Sequence, residues 1–452
     1  MAQSEVRNWF GDIASHPAEV VEVHSPEDIV AVLTNPERYP SPVRATGSNH
    51  SVTRCGVVTG GTLVKMTKMN HILNITNDTV TAEAGVLYLD LAEALEKRDM
   101  QLHVNTEIGN LTLGSAACAG TKDASMPGEF GQVNSYAIGV KMILPSGERL
   151  EVTEDAQPEL MQLVRSSYGL FGIVYEVTFR IRPIEPMAVY HETFTLDEFT
   201  QTLPALTDRQ ESIMMYMFPF ENKLTVEFRK YNPKAKGRPD RIVWKLRNYA
   251  WKTAGPKFAH DVTEKIDNLH IRYNVIDKFH EVLRFKLTAL IKDNHTLAPD
   301  QIIRYPDVSD TSRYTFSLWA FPEQAYPKVL REYFKFCQDY YKKTGYRCNL
   351  PNVGYRIAHD QQSHFSYSYD GNILTIDPVS TANPGWIDFL HTYNDFAIER
   401  GGRPLFNQTY GLKRQHIDKA FGDRVQKFET QRKKLDPQDR MLNAYFRELF
   451  SS

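Results

Sequence analysis

Apolar positions recur at period two and at period 3.6 by turns along the first 185 residues. Val20, Val21 and Val23 predict a short strand, and Ser25, Glu27 and Asp28 then open an apolar-periodic run ending near Leu33. A serine before acidic residues marks a helix start: its side chain satisfies a free backbone N–H, and the carboxylates oppose the helix dipole. Residues 63–66 and 72–75 predict strands, 79–86 alternates like a strand, 89–97 suits an amphipathic helix, and 101–104 returns to strand. Val57 and Val58 suggest a further β segment. Residues 136–148 predict two strands about Pro145-Ser146-Gly147, and a glycine-broken turn at 166–172 runs into another strand. Pro183 and Pro186 mark a boundary. Many strands with short helices predict an α+β fold rather than a doubly wound sheet.

Beyond the boundary, 214–220 and 224–228 predict two strands and a turn, 314–321 a strong strand, and 327–341 a helix. Residues 365–369 and 373–376 suggest a hairpin turned by Asp370-Gly371. A sheet covered by helices is expected. From Arg229 to Lys257 the chain is basic (Lys230, Lys234, Lys236, Arg238, Arg241, Lys245, Arg247, Lys252), opposed by Asp240 alone and interleaved with Trp244, Tyr249 and Trp251. A helical stretch at 276–291 carries Phe279, Val282, Leu283, Phe285, Leu287, Leu290 and Ile291. Two readings stand: a solvated insertion packed on its own domain, or a basic aromatic face resting on anionic lipid.

At 452 residues, 42% hydrophobic and 24% charged, the chain suits a globular protein of two or three domains. A net charge of −2 argues against general nucleic-acid binding. Cys55, Cys118, Cys337 and Cys348 are irregularly spaced, with no Cys/His metal pattern, so no metal is expected and a reducing cytoplasm fits best. Residues 1–17 lack a basic-then-apolar leader pattern, and no run of about 18 apolar residues predicts a membrane span.

Candidate chemistry concentrates in Arg44-Ala45-Thr46-Gly47-Ser48-Asn49-His50-Ser51. Gly47 admits torsions and close approaches closed to other residues. Ser48, Asn49 and Ser51 add donors, and successive turn amides form an anion-binding nest suited to a pyrophosphate. His50 adds a nucleophilic ring nitrogen. Neither a P-loop nor a Rossmann fingerprint is present. An ordinary polar turn with a surface histidine is the other reading. A second stretch, 106–125, holds mostly small residues, among them Gly109, Thr112, Gly114, Ser115, Ala119, Gly120 and Thr121, with Glu107 near its start. It reads either as close helix–sheet packing or as a backbone wall along a flat cofactor.

The His50 loop, the wall from Gly109 to Thr121, the Pro145-Ser146-Gly147 hairpin and the Gly169-Leu170-Phe171-Gly172-Ile173 turn occur in that order, and a Leu435-Asp436-Pro437 tail follows. Together they resemble the vanillyl-alcohol-oxidase and p-cresol-methylhydroxylase superfamily of FAD-linked oxidoreductases, nearest its sugar-lactone (aldonolactone) and alditol oxidase branch. The resemblance covers roughly residues 15–185 and 395–450. It implies a two-subdomain FAD-binding domain at 1–186, a substrate or cap domain at 187–395 with the basic aromatic insertion at about 229–300, and a segment 396–452 returning to the FAD domain. It implies FAD, linked covalently through His50, with Arg44, Thr46, Gly47, Ser48, Asn49, Ser51, Glu107, Gly109, Thr112, Gly114, Ser115, Ala119, Gly120, Thr121, Gly172 and Ile173 around it.

The implied reaction moves a hydride from a CH–OH carbon of an alcohol, lactol or lactone to flavin N5, with O2 or another acceptor reoxidising the flavin. The branch's His-Trp-x-Lys segment falls on Leu405, Phe406 and Gln408, and a glutamate of its cap strand falls on Leu318. Both departures favour a more apolar small-molecule substrate. Asn407, Gln408, Tyr355, Arg356 and His359 are the catalytic candidates, with Asp360, His364, Tyr367 and Tyr369 beside them. Arg304 pairs either with a substrate anion or with Asp307. The alternatives are a lipid-borne substrate at a membrane surface and a flavin-binding module without turnover. Oligomeric state is not set by the sequence.

Overall fold

The helix Pro26–Thr34 begins in a capping box: Ser25 Oγ accepts from Asp28 N, and the Asp28 carboxylate accepts from Ser25 N. Its apolar face, Ile29, Val32 and Leu33, enters the main core. The computed structural model describes residues 5–235, 241–291, 295–305 and 311–450. Lys236, Arg238, Asp240 and Asp307 lie outside these, as do the side chains of Leu283, Leu287 and Leu290.

Among the described residues a three-stranded parallel sheet orders Glu19–Glu22, Thr62–Lys65 and Val43–Thr46. A six-stranded antiparallel sheet runs Arg149–Thr153, Ala137–Ile143, Ile173–Pro183, Thr79–Glu83 and Ile72–Ile75, and Met100–Leu102 joins the far end of the long central strand. A third, eight-stranded antiparallel sheet orders His295–Thr296, Met187–Thr195, Lys223–Tyr231, Ser212–Phe218, Asn352–Ile357, Ile373–Ile376, Trp319–Pro322 and Arg403–Pro404, and two small pairs stand apart, Val6–Arg7 with Ala14–Ser15 and Thr315–Phe316 with Val379–Ser380. The architecture is α+β, an FAD-binding-type pair of subdomains and a helix-covered sheet.

Ser212–Phe218 shows how the third sheet is layered. Every residue of it is buried. Ile213, Met215 and Met217 face the main core, where Tyr326 and Tyr333 of the helix Tyr326–Thr344 pack. Met214, Tyr216 and Phe218 face the other way, into a separate cluster with Ala124 and Trp251. A strand covered on both faces loses the polar alternation of a half-exposed one. The second face is roofed by the insertion, in which Arg241–Tyr249, Gly255–Lys265 and Leu269–Ile291 are helices and Ala250–Ala254 widens to a π-helical turn.

The small-residue stretch, for which the sequence specifies no element, forms a short helix at Leu113–Cys118. Three predicted elements differ. Val57 and Val58 follow a 3-10 turn at Arg54–Gly56 and form no strand. The 314–321 strand breaks in two, because Ser317 N turns to Pro378 O and Leu318 N to Gln408 O. Residues 365–369 are turns: Ser366 and Ser368 turn their hydroxyls to Gln132 Nε2 at 2.8 and 3.3 Å, and Ile373–Ile376 pairs with other strands.

The tail is stitched to the first sheet by polar side chains. Asp436 accepts from the backbone N–H groups of Arg440 and Met441, both at 2.8 Å. Arg440 then donates to the carbonyls of Val32, Leu33 and Tyr39 at 2.6, 2.7 and 3.0 Å, closing the C-terminal end of Pro26–Thr34. A cation there also suits the helix dipole. Arg440→Met leaves those carbonyls without their donor and should destabilise the fold by about 1–3 kcal/mol, read as a lowered midpoint in chemical denaturation.

Candidate active site

The strand Val43–Thr46 ends in a tight turn. The Thr46 hydroxyl donates to the Asn49 side-chain carbonyl, and Asn49 sits at φ 54°, a left-handed conformation that asparagine tolerates. At Gly47 a Cβ would stand 2.2 Å from Thr112 Oγ1, so the turn presses against the N-terminus of the helix Leu113–Cys118. Trp9 fixes the tip: its N–H donates to Asn49 O at 2.8 Å, and its ring stacks on His50 at 5.3 Å and 19°. Burial lowers the His50 pKa to about 4, so the imidazole is neutral near pH 7.

This turn forms one side of a groove of about 1220 Å³, through Arg44, Thr46, Gly47, Ser48, Asn49, His50 and Ser51. Thr112, Gly114, Ser115, Ala119, Gly120 and Thr121 form the other side, and Gly172 closes one part of it. The small-residue stretch both packs closely and lines the groove. A Cβ on Gly114 would stand 3.0 Å from Ala84 Cβ, which is close packing, while its neighbours line the groove. Cys118 also lines it as a buried thiol, its pKa raised to about 12 by burial.

Arg44 organises the groove from beneath. Its guanidinium donates to the carbonyls of Gly169, Met441 and Cys55 at 3.2, 3.1 and 3.1 Å, and to that of Tyr168. Burial lowers its pKa to about 10, which leaves it charged. Asn407 crosses from the other side, donating to Gly120 O at 2.8 Å and accepting at its own carbonyl from Ser51 Oγ at 3.1 Å. Gln408 also donates to Gly120 O, at 3.3 Å. Arg44 Nε and Asn407 Oδ1 are buried without protein partners at this groove. A tight polar turn, a wall of minimal side chains and two buried polar atoms without protein partners fit FAD.

A second cavity of about 980 Å³ meets the groove at Ile108, Thr121, Phe316 and Gln408. Met214, Tyr216, Trp251, Phe279 and Tyr314 give it apolar and aromatic walls. Trp251, on the π-helical turn, stacks on Tyr216 at 5.0 Å and 14°. The polar groups flank the shared residues. Glu107 precedes Ile108, and Lys122 follows Thr121. Lys122 Nζ pairs with Asp377 Oδ2 at 2.9 Å, with side chains only 6% and 2% exposed, and the ammonium lies 4.4 Å from the Tyr355 ring centre. Burial raises the pKa of Asp377 while Lys122 opposes the rise, and burial likewise raises Glu107. The next residue, Asp123, pairs with Arg229 at 2.7 Å, and Arg229 with Glu227 at 2.6 Å. Burial alone would push Glu227 up, but Arg229 and His191 hold it well below the carboxylate range.

The candidates named from sequence divide accordingly. Glu107 lines the second cavity, not the groove. Gly109 is a joint: its N–H donates to Ile303 O, and a Cβ would meet Ile302 Cγ2 at 2.5 Å. Ile173 is buried behind Gly172 at the start of its strand. Asn407 lines the groove, Gln408 both spaces, and Tyr355 the second cavity. Arg356 and His359 line neither. Strand alternation turns Arg356 away from Tyr355, to Glu323 at 2.6 Å. His359 bonds Tyr369 O at the surface. Asp360 accepts from Ser135 and Gln132, His364 meets Arg424 O, Tyr367 is buried in a core cluster, and Tyr369 lies beneath Arg424. Arg304 pairs with Asp90. Leu318 and Leu405 share one apolar cluster, and Phe406 packs on Tyr168, Phe365 and Phe421.

Sequence reasoning missed Lys122 and Asp377, and also His280, which lines the second cavity. Lys122 carried a signal, as the one basic residue among 106–125. Asp377 carried none beyond closing an apolar strand.

Comparison with known proteins agrees with this geometry. A family profile described as "FAD binding domain" matches residues 17–153, and one described as "D-arabinono-1,4-lactone oxidase" matches 177–449. L-gulonolactone oxidases from Scyliorhinus torazame and Bos taurus are each 23% identical over 452 residues, covering 99% and 98% of this chain and 98% of each relative. Cholesterol oxidase from Brevibacterium sterolicum shares the fold at TM-score 0.77 and 16% identity, covering 99% of this chain and 97% of that one. The chain belongs to the D-arabinono-1,4-lactone oxidase family and is an FAD-linked oxidoreductase of the vanillyl-alcohol-oxidase superfamily that oxidises a CH–OH carbon.

Proposed function

We propose that the protein oxidises the carbinol carbon of an amphipathic substrate, more apolar than a sugar lactone. The observation that carries this is the second cavity. Its walls are aromatic and apolar, and its charged groups Glu107 and Lys122 adjoin the residues shared with the groove. Such a space holds an apolar body and leaves a hydroxyl beside the cofactor. Leu318 and Leu405 support the reading, since they fill core where the branch carries a glutamate and a histidine. Lactones of the kind named for the L-gulonolactone oxidase relatives are the competing substrates.

FAD, when bound, accepts the hydride of the carbinol C–H, and O2 or another acceptor regenerates it. The 46–51 turn holds its diphosphate, and the 112–121 wall supports its ring. His50 forms the covalent link. A neutral imidazole presents a free lone pair, and the Trp9 stack holds the ring in place. Residues 1–186 and 396–452 form the FAD domain and 187–395 the substrate domain.

A lipid surface is the second part of the reading. Leu246 and Tyr249 are 53% and 54% exposed on one insertion helix, and Val282 and Phe285 are 57% and 70% exposed on another. The same insertion lines the cavity through Trp251 and Phe279. Much of its basic charge is already paired: Arg229 with Asp123, Lys230 with Glu211, Arg241 with Asp300 and Lys257 with Asp261. Apolar contact therefore leads and charge assists. The free thiols suit a reducing cytoplasm with peripheral lipid contact. No helix among the described residues is long and apolar enough to cross a membrane.

Four measurements check these readings. Acid-precipitated protein should stay yellow, and His50→Ala should release its flavin to the supernatant. Gly47→Ala, which overpacks Thr112, should purify with about a tenth of the wild-type flavin per chain. Anaerobic bleaching should be faster with 1-octanol, benzyl alcohol or cholesterol than with L-gulono-1,4-lactone or D-arabinono-1,4-lactone, and the reverse order would reject the apolar substrate. The protein should sediment with phosphatidylcholine vesicles, more so with phosphatidylglycerol added, and Leu246→Ser/Phe285→Ser should stay in solution. A wild type left wholly in the supernatant rules out the lipid surface.

A further inference from the structure

We infer that Asp377 is the base that takes the substrate's hydroxyl proton, with Lys122 as its positioning residue. The inference rests on the proposed carbinol oxidation and names the group that reading leaves open. Asp377 lines the second cavity, 1% exposed. Its two oxygens differ. Oδ2 is held by Lys122 Nζ at 2.9 Å, and the Thr375 hydroxyl also acts on the carboxylate, whereas Oδ1 is buried with no partner in hydrogen-bonding geometry. A buried carboxylate oxygen without a donor is costly unless something arrives to donate to it, and a substrate hydroxyl is such a donor. Lys122 follows Thr121, one of the residues common to both spaces, so the pair stands at their junction.

The step balances. The O–H bond breaks and its proton passes to Oδ1. Its electron pair becomes the second bond of C=O as the C–H hydrogen leaves with its own pair to the bound flavin. Lys122 keeps Asp377 ionised before the transfer and fixes its orientation through Oδ2.

The groups facing Asp377 suit this division. Lys122 comes from the 121–123 segment, Tyr355 from Asn352–Ile357, Tyr326 and Tyr393 from the two covering helices, and Tyr367 from the turn segment. Burial raises the pKa values of all four tyrosines; the Asp377 charge comes next for Tyr326 and Tyr393, and follows that of Glu107 for Tyr355 and that of Asp360 for Tyr367, so Lys122 is the cation of the set. Glu107, in the irregular segment before Ile108, is the rival carboxylate; it already accepts from Tyr305 Oη at 3.2 Å.

The test uses FAD-loaded protein and two readouts. The first is the flavin absorbance band titrated with pH without substrate. Wild type should show one acidic transition, Asp377→Asn should abolish it, and Lys122→Met should move it upward by about one unit or more, because the ammonium no longer favours the carboxylate. The second is anaerobic flavin reduction by the best donor of the alcohol and lactone panel. Asp377→Asn should slow it about 100-fold or more, and Lys122→Met should shift its acid limb upward in step with the titration. A wild type without the transition, a transition surviving in Asp377→Asn, or one lost only in Glu107→Gln overturns the assignment. If Asp377→Asn does not fold, the direction of the Lys122→Met shift decides. If no panel member bleaches the wild type, the substrate reading fails while the titration still judges Asp377.

Discussion

Two buried ion pairs on consecutive residues hold the molecule's two functional spaces in register. Lys122 is tied to Asp377 and Asp123 to Arg229, and both partners belong to the third sheet or the turn that leaves it. The residue before them, Thr121, lines both the groove and the second cavity. Desolvating such charges is expensive, so these pairs add little net stability compared with an apolar filling. Their geometry is stringent, however. Removing one partner strands the other in a dry site, which makes sliding of the sheet across the 120–123 segment unfavourable. The relative position of cofactor and substrate thus depends on electrostatic matching more than on apolar contact, which is non-directional.

The same logic recurs beneath the groove, where irregular backbone must be held without a ladder. Arg44 and Asn443 each collect several carbonyls from separate segments, Arg440 collects those of the first helix, and Asn407 joins the His50 turn to Gly120. Loops that approach a ligand closely cannot satisfy their polar groups within a sheet. Arg44 and side chains from the C-terminal segment do it instead, which explains why chain ends far apart in sequence meet at the groove.

The sequence was most legible where one local rule acted alone. The Ser25 cap, the Thr79–Glu83 alternation and the Pro145-Ser146-Gly147 hairpin are recoverable because their determinants lie within a few residues. The turn from Arg44 to Ser51 was legible for the same reason, since Gly47 and Asn49 announce an unusual backbone. The illegible parts depend on distant partners. The break at Ser317–Leu318 follows from carbonyls on Pro378 and Gln408, and the turns at 365–369 from Gln132. The misplacement of Arg356 and His359 has a related cause. A cluster of polar residues near one turn was visible, but which face of the strand each occupied was not, and alternation sent Tyr355 alone to the cavity. The basic run from Arg229 was equally misleading as a charge count, because its partners lie elsewhere in the chain.

The apolar residues at Leu318 and Leu405 and the buried charges at Lys122 and Asp377 are two sides of one arrangement. Leu405 packs so tightly under the wall that a Cβ on Gly120 would stand 2.5 Å from its Cδ2, and Leu318 lies in the same cluster. A charged group in either place would be buried without a partner on that side of the sheet. Polar chemistry is thereby confined to the other flank, where Lys122 and Asp377 offer each other a counterion and Tyr355 offers a ring face. A cavity polar along one edge and apolar over the remainder is the arrangement on which the proposed amphipathic substrate rests. The distribution of charge around the junction therefore limits the substrate as firmly as the cavity's shape does.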